Sequence, residues 1–149
     1  MRQQIYKAIF PILAGAVMAG LISCDKTKPY ELIIPPAQAH FVGTKAQTYT
    51  LTNPAPVYKV VVGLTDKQPV ARTVNFGIKL PTGAVPGTHF TVTGSSVTFP
   101  ADSTRAYIDV QGNYAAYGGG RKDTLVFYLT SGGVPQAIFL DTVRLVLKQ

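Results

Sequence analysis

From Ala39 to the carboxyl end, apolar residues recur at every second position in short segments, and turn residues separate the segments. The clearest case is Thr73 to Leu80, where Val74, Phe76, Ile78 and Leu80 alternate with Thr73, Asn75, Gly77 and Lys79. A period of two over eight residues specifies a strand with one buried face. Val57 to Leu64 repeats it with Tyr58, Val60, Val62 and Leu64 inward, and Arg105 to Val110 with Ala106, Ile108 and Val110. So do Thr124 to Leu129 (Leu125, Phe127, Leu129) and Phe139 to Lys148 (Val143, Leu145, Leu147). Shorter strands fit His40–Val42, Thr48–Leu51, His89–Thr93 and Ser96–Phe99, with Gly94-Ser95 as a hairpin turn between the last two. No segment sustains a 3.6-residue apolar period with caps. Seven to nine strands of this kind predict an all-β, immunoglobulin-like antiparallel sandwich over residues 39–149, with a partly open barrel as the structural alternative.

The amino terminus follows a different rule. Arg2 and Lys7 precede an uncharged, mostly apolar run from Ala8 to Ile22, then Ser23 and Cys24. Charged start, apolar centre and small-residue end are the order of a secretory signal peptide, predicted here over residues 1–23. Ala8 to Ser23 is shorter than the roughly 20 apolar residues that a membrane-spanning helix needs. Leu21-Ile22-Ser23-Cys24 resembles the lipobox of bacterial lipoproteins. That resemblance implies a thioether-linked diacylglycerol on Cys24, cleavage just before it and further acylation, for example by palmitate, of the new amino group. Two or more acyl chains give stable anchoring where one does not. Cys24 is the only cysteine, so an internal disulfide is excluded. Residues 24–38, with Pro29, Pro35 and Pro36, read as a lipidated tether. The expected location is the bacterial cell envelope, anchored by lipid, at the outer membrane.

Gly87 to Val110 (GTHFTVTGSSVTFPADSTRAYIDV) resembles the central part of Calx-β-like domains and the related sandwiches of small Bacteroidota-type lipoproteins of unknown function. The shared order is a G-x-x-[FY] entry, a hairpin, V-T-F-P-A-G, and an alternating strand ending in I-x-V. Thr124 to Leu129 matches a later strand of the pattern. The resemblance spans about Val57 to Leu147 and implies fold much more than function. Asp102 stands where the pattern has glycine. Asp66, Asp102, Asp109, Asp123 and Asp141 are well separated in sequence, so no calcium site is carried over.

Composition narrows the function classes. Apolar residues make up 46% and charged residues 14%, enough to build a core. The formal charge is +7, but the cations are scattered along the sequence rather than clustered, which argues against nucleic acid. His40 and His89 lie beside aromatic residues in strand-like segments and suit strand-end packing rather than metal binding. No nucleophile elbow, phosphate loop or zinc helix is present. Neither a catalytic set nor a cofactor is expected, and the chain is read as non-enzymatic.

Gly112 to Lys122 is the segment with the most binding chemistry. It holds Tyr114, Tyr117, three consecutive glycines, Arg121 and Lys122. Tyrosine combines a flat apolar face with a hydroxyl, and Arg121 can grip a carboxylate with two donors. Tyr107 and Tyr128 would extend that surface if their strands were neighbours. The alternative is a long connection whose tyrosines fold back onto the sandwich. Two roles follow: an accessory or scaffold domain that binds another envelope protein, or a glycan-binding module of a polysaccharide-uptake system built on these tyrosines.

Overall fold

A computed structural model describes residues 35–130 and 132–149. The expected signal peptide and the Cys24 anchor lie outside the described residues. Among the described residues, nine strands form: β1 (Ala39–Phe41), β2 (Ala46–Thr50), β3 (Tyr58–Leu64), β4 (Arg72–Lys79), β5 (Phe90–Val92), β6 (Ser96–Phe99), β7 (Arg105–Gly112), β8 (Lys122–Thr130) and β9 (Thr142–Lys148). They build a four-stranded sheet in the order β1-β3-β7-β5 and a five-stranded sheet in the order β2-β9-β8-β4-β6. Every pairing is antiparallel except β2 with β9, which is parallel. The expected sandwich is therefore present, with nine strands.

Alternation dictates the core. In β8, Leu125, Phe127 and Leu129 are buried while the residues between them are not. In β9, Val143, Leu145 and Leu147 repeat this, and β3 and β7 supply Val60, Val62, Ile108 and Val110 from the opposite sheet. Burying each of these side chains contributes on the order of 1.5–3 kcal/mol, which is why one face of every strand must turn inward. Residues 36–38 also lie on the domain, where Gln38 N donates to Thr65 Oγ1 at 2.8 Å.

The structure corrects the expected hairpin. β5 pairs with β7 and β6 pairs with β4, so Gly94, at φ +73°, carries the chain from one sheet to the other. Phe90 on β5 and Phe99 on β6 are both buried, each on the inner face of a different sheet. β9 also starts later than expected, at Thr142, because residues 138–140 form an exposed turn. Leu80, expected inward, is 41% exposed just beyond β4.

The departure at Asp102 and the glycine at position 112 now have reasons. Asp102 adopts φ +60°, the left-handed conformation that glycine fills most easily, and its amide donates to Gln68 O at 2.7 Å. Aspartate tolerates that region better than most residues. Gly112 is required by packing, since a Cβ there would lie 2.2 Å from the Leu51 Cδ2 methyl. Gly112→Ala is expected to cost about 1–3 kcal/mol through overpacking. Gly118→Ala, where nothing lies within 4 Å, is expected to stay within about 0.5 kcal/mol. Urea denaturation of the two variants checks the contrast.

Candidate functional site

The glycine-rich connection between β7 and β8 folds back onto the sandwich. Residues Tyr114–Gly120 form tight 3-10 turns with a break at Gly118 and Gly119. Tyr117 is fully buried, and the edge of its ring meets His89 at a centroid distance of 6.3 Å. Below it, Arg121 grips the buried Asp123 with two donors: Nε to Oδ2 at 3.0 Å and Nη2 to Oδ1 at 3.2 Å. Arg121 Nη2 also donates to Gly83 O at 2.7 Å, tying the β4–β5 connection to the start of β8. His89 Nδ1 accepts the Val85 amide at 3.0 Å in the same connection.

Arg121 therefore neutralises a carboxylate that would otherwise be buried alone, an arrangement costly to break. Among the described residues, the Tyr117 hydroxyl has no hydrogen-bond partner. Burial raises its pKa, the nearby Asp123 carboxylate raises it further, and Arg121 offsets part of that.

The structure does not bring the five sequence-nominated residues to one surface. Tyr117 is in the core and Arg121 is committed to Asp123. Tyr114 is 38% exposed, with its carbonyl accepting from Gln149 Nε2 at 2.7 Å. Tyr107 lies on the outer face of the four-stranded sheet, with Lys59 Nζ 5.5 Å from its ring centroid and Asp109 next to that lysine at 2.8 Å. Tyr128 lies on the outer face of the five-stranded sheet beneath Lys79, its ring filling the space where a Cβ on Gly77 would sit. β7 and β8 belong to different sheets, so Tyr107 and Tyr128 face opposite ways.

Among the described residues, the most exposed apolar feature is elsewhere. Ile138, Phe139 and Leu140 are 79%, 78% and 43% exposed. Phe139 adopts φ +71°, a conformation that costs a bulky residue on the order of 1 kcal/mol or more. The segment is held on both sides. Phe41 N donates to Leu140 O at 2.8 Å, Ala137 N to Ala39 O at 2.8 Å, and Ala39 N to Pro135 O at 2.8 Å. Leu140 N closes the turn on Ala137 O at 3.2 Å. A rigidly held turn thus presents three consecutive apolar side chains to solvent. Sequence reasoning missed it by starting a strand at Phe139. The available signal was the unbroken run Ala137 to Leu140, which does not alternate.

Among the described residues, no three His, Cys, Asp or Glu side chains gather in a way that could hold a metal ion.

No protein-family model and no curated protein matches the sequence. Solved structures do match the fold. A candidate carbohydrate-binding protein from Bacteroides ovatus superposes with a TM-score of 0.58 at 12% identity, over 75% of this chain and 37% of that one. CBD12 from CALX1.2 gives 0.58 at 14% identity, over 74% and 44%. The apo form of the Calx CBD1 domain gives 0.54 at 18% identity, over 76% and 97%. The chain thus spans less than half of the first two and nearly all of the single Calx domain. The fold is Calx-β-like, as the Gly87–Val110 resemblance implied.

Tyr117→Phe is expected to change stability at neutral pH by less than about 1 kcal/mol, because the hydroxyl it removes makes no hydrogen bond. An unfolded tyrosine ionises near pH 10, whereas the folded one holds its proton to higher pH. Its contribution is fully present below pH 10 and is lost as pH rises above that value. Denaturant titrations from pH 8 to 11 should show an alkaline fall in the parent chain that is shallower in the phenylalanine variant. Asp123→Ala, which strands Arg121, is expected to cost about 1–3 kcal/mol after allowing for the partial exposure of the arginine.

Proposed function

We propose that the chain is a non-catalytic accessory protein of the bacterial cell envelope, anchored in the outer membrane by lipid at Cys24, that docks another protein through the Ile138–Leu140 turn. One observation carries the docking role: three adjacent apolar side chains stand in solvent on a backbone whose strained conformation is held by hydrogen bonds to β1. Exposure of this kind costs solubility and strain without any return in the isolated domain. Contiguous exposed apolar groups on a preformed loop favour a partner because little ordering entropy is lost on contact. Aromatic and large aliphatic anchors dominate most protein interfaces.

The similar structures support a binding or accessory module: one is a candidate carbohydrate-binding protein and others are Calx domains. The lipid anchor rests on the Leu21–Cys24 motif after a signal-like segment.

Ile138→Asp is expected to weaken docking at least about thirtyfold while leaving the thermal midpoint unchanged, since a central anchor is worth about 2 kcal/mol or more. Site-specific isolation of the complex from parent and variant cells measures it. Equal recovery from both would refute the role of the turn. For the anchor, mass spectrometry of membrane-extracted protein should find a mature chain that starts at an acylated Cys24.

A further inference from the structure

The cations that are scattered in the sequence are gathered by the fold. On the five-stranded sheet the outward positions include Lys79, Lys122, Arg144 and Lys148. No outward position of these five strands carries a carboxylate, and the one acid among them, Asp123, is buried on the inner face. Lys122 lies directly opposite Lys148 in the β8–β9 register. Like charges in directly opposed positions are destabilising, so this face gains from any anion that settles on it. Arg144 stands in a row with Ala46 on one side and Val126 on the other, and Lys79 follows Val126.

At the edge of this face, beside the start of β9, runs a groove of about 490 Å³ lined by Lys45, Ala46, Phe139, Asp141, Thr142 and Arg144. Its chemistry is mixed in a particular way. Two cations can hold a carboxylate or sulfate, and Arg144 can do so with paired donors. Phe139 offers an aromatic ring for the apolar face of a sugar. Asp141 accepts hydrogen bonds from hydroxyl groups, and Thr142 both donates and accepts them.

We infer that this groove and the adjoining cationic sheet face bind an acidic polysaccharide, with one uronic acid or sulfated residue seated against Phe139, Lys45 and Arg144. Each part of such a sugar has a counterpart in the lining: the acid group with the cations, the ring with Phe139, the hydroxyls with Asp141 and Thr142. A fluid anionic headgroup layer or a phosphate backbone would meet the cations equally well. Neither a duplex phosphate backbone nor a phosphatidylglycerol headgroup, however, presents a hydroxylated ring for Phe139 and Asp141 to hold. The inference stands apart from protein docking: Phe139 contributes to both surfaces, whereas Ile138 belongs to the docking turn alone and Lys45 and Arg144 to the groove.

Affinity electrophoresis of the full lipidated chain in non-ionic detergent micelles tests it, with polygalacturonate and chondroitin sulfate as probes. Neutral dextran, duplex DNA and mixed micelles containing phosphatidylglycerol serve as comparisons. At least one acidic polysaccharide should retard the protein, and dextran should not. Arg144→Ser and Lys45→Ser should each weaken that retardation roughly tenfold, the loss expected for one charge-assisted contact. Phe139→Leu, which keeps the turn apolar, should weaken it several-fold, while Lys59→Ser on the other sheet should leave it unchanged. Ile138→Ser, which removes the apolar anchor without adding charge beside the groove, should leave it unchanged too, which separates this site from the docking turn. Circular dichroism confirms that each variant is folded. No retardation by either acidic polysaccharide would overturn the inference. So would equal binding to DNA or to the phosphatidylglycerol micelles, or retardation that survives both the Arg144 and Lys45 substitutions.

Discussion

The whole molecule depends on keeping inward side chains out of water. Each sheet has one apolar face, and neither is stable unless the other covers it. Phe127, Leu145 and Val74 from one sheet and Val60, Val62 and Ile108 from the other are almost wholly removed from solvent. That requirement fixes the register of every strand, since a slip of one residue would exchange the inner and outer faces. It leaves many outer-face positions free of packing duty, and these are where binding chemistry can accumulate.

The connections then divide into two kinds. The β7–β8 connection has been absorbed into the core: Tyr117 plugs one end of the sandwich, and Arg121 compensates Asp123 and fastens the neighbouring loop at Gly83. The connection before β9 does the opposite. Its backbone is laced to β1, yet its three apolar side chains remain outside. A loop that satisfies its own backbone and still displays apolar groups is preorganised for contact, and that contrast is the basis for assigning docking to the second loop and support to the first.

Much of the fold was legible because alternation is a direct imprint of half-burial. All nine strands correspond to segments with that pattern, and the Gly87–Val110 resemblance named the fold. Alternation reports which side chains face inward, however, and not which strand lies alongside. The turn at Gly94 therefore looked like a hairpin although its two strands join different sheets. The same gap hid the opposed outward faces of Tyr107 and Tyr128 and the gathering of Lys79, Lys122, Arg144 and Lys148 on one face. Composition could nominate Tyr117 and Arg121 as sticky residues. Only tertiary packing could reveal that one fills the core and the other is spent on Asp123. Phe139 was hidden for a local reason, since an apolar residue at positive φ leaves no periodic trace.

The most direct test of a displayed docking turn is site-resolved photo-cross-linking in intact cells, with the reactive side chain placed at position 138 or, as a reference on β5 at the far edge of the four-stranded sheet, at position 91. The account predicts one discrete, higher-mass adduct from position 138 and none from position 91. The same adducts from both positions, or none from position 138, would contradict it.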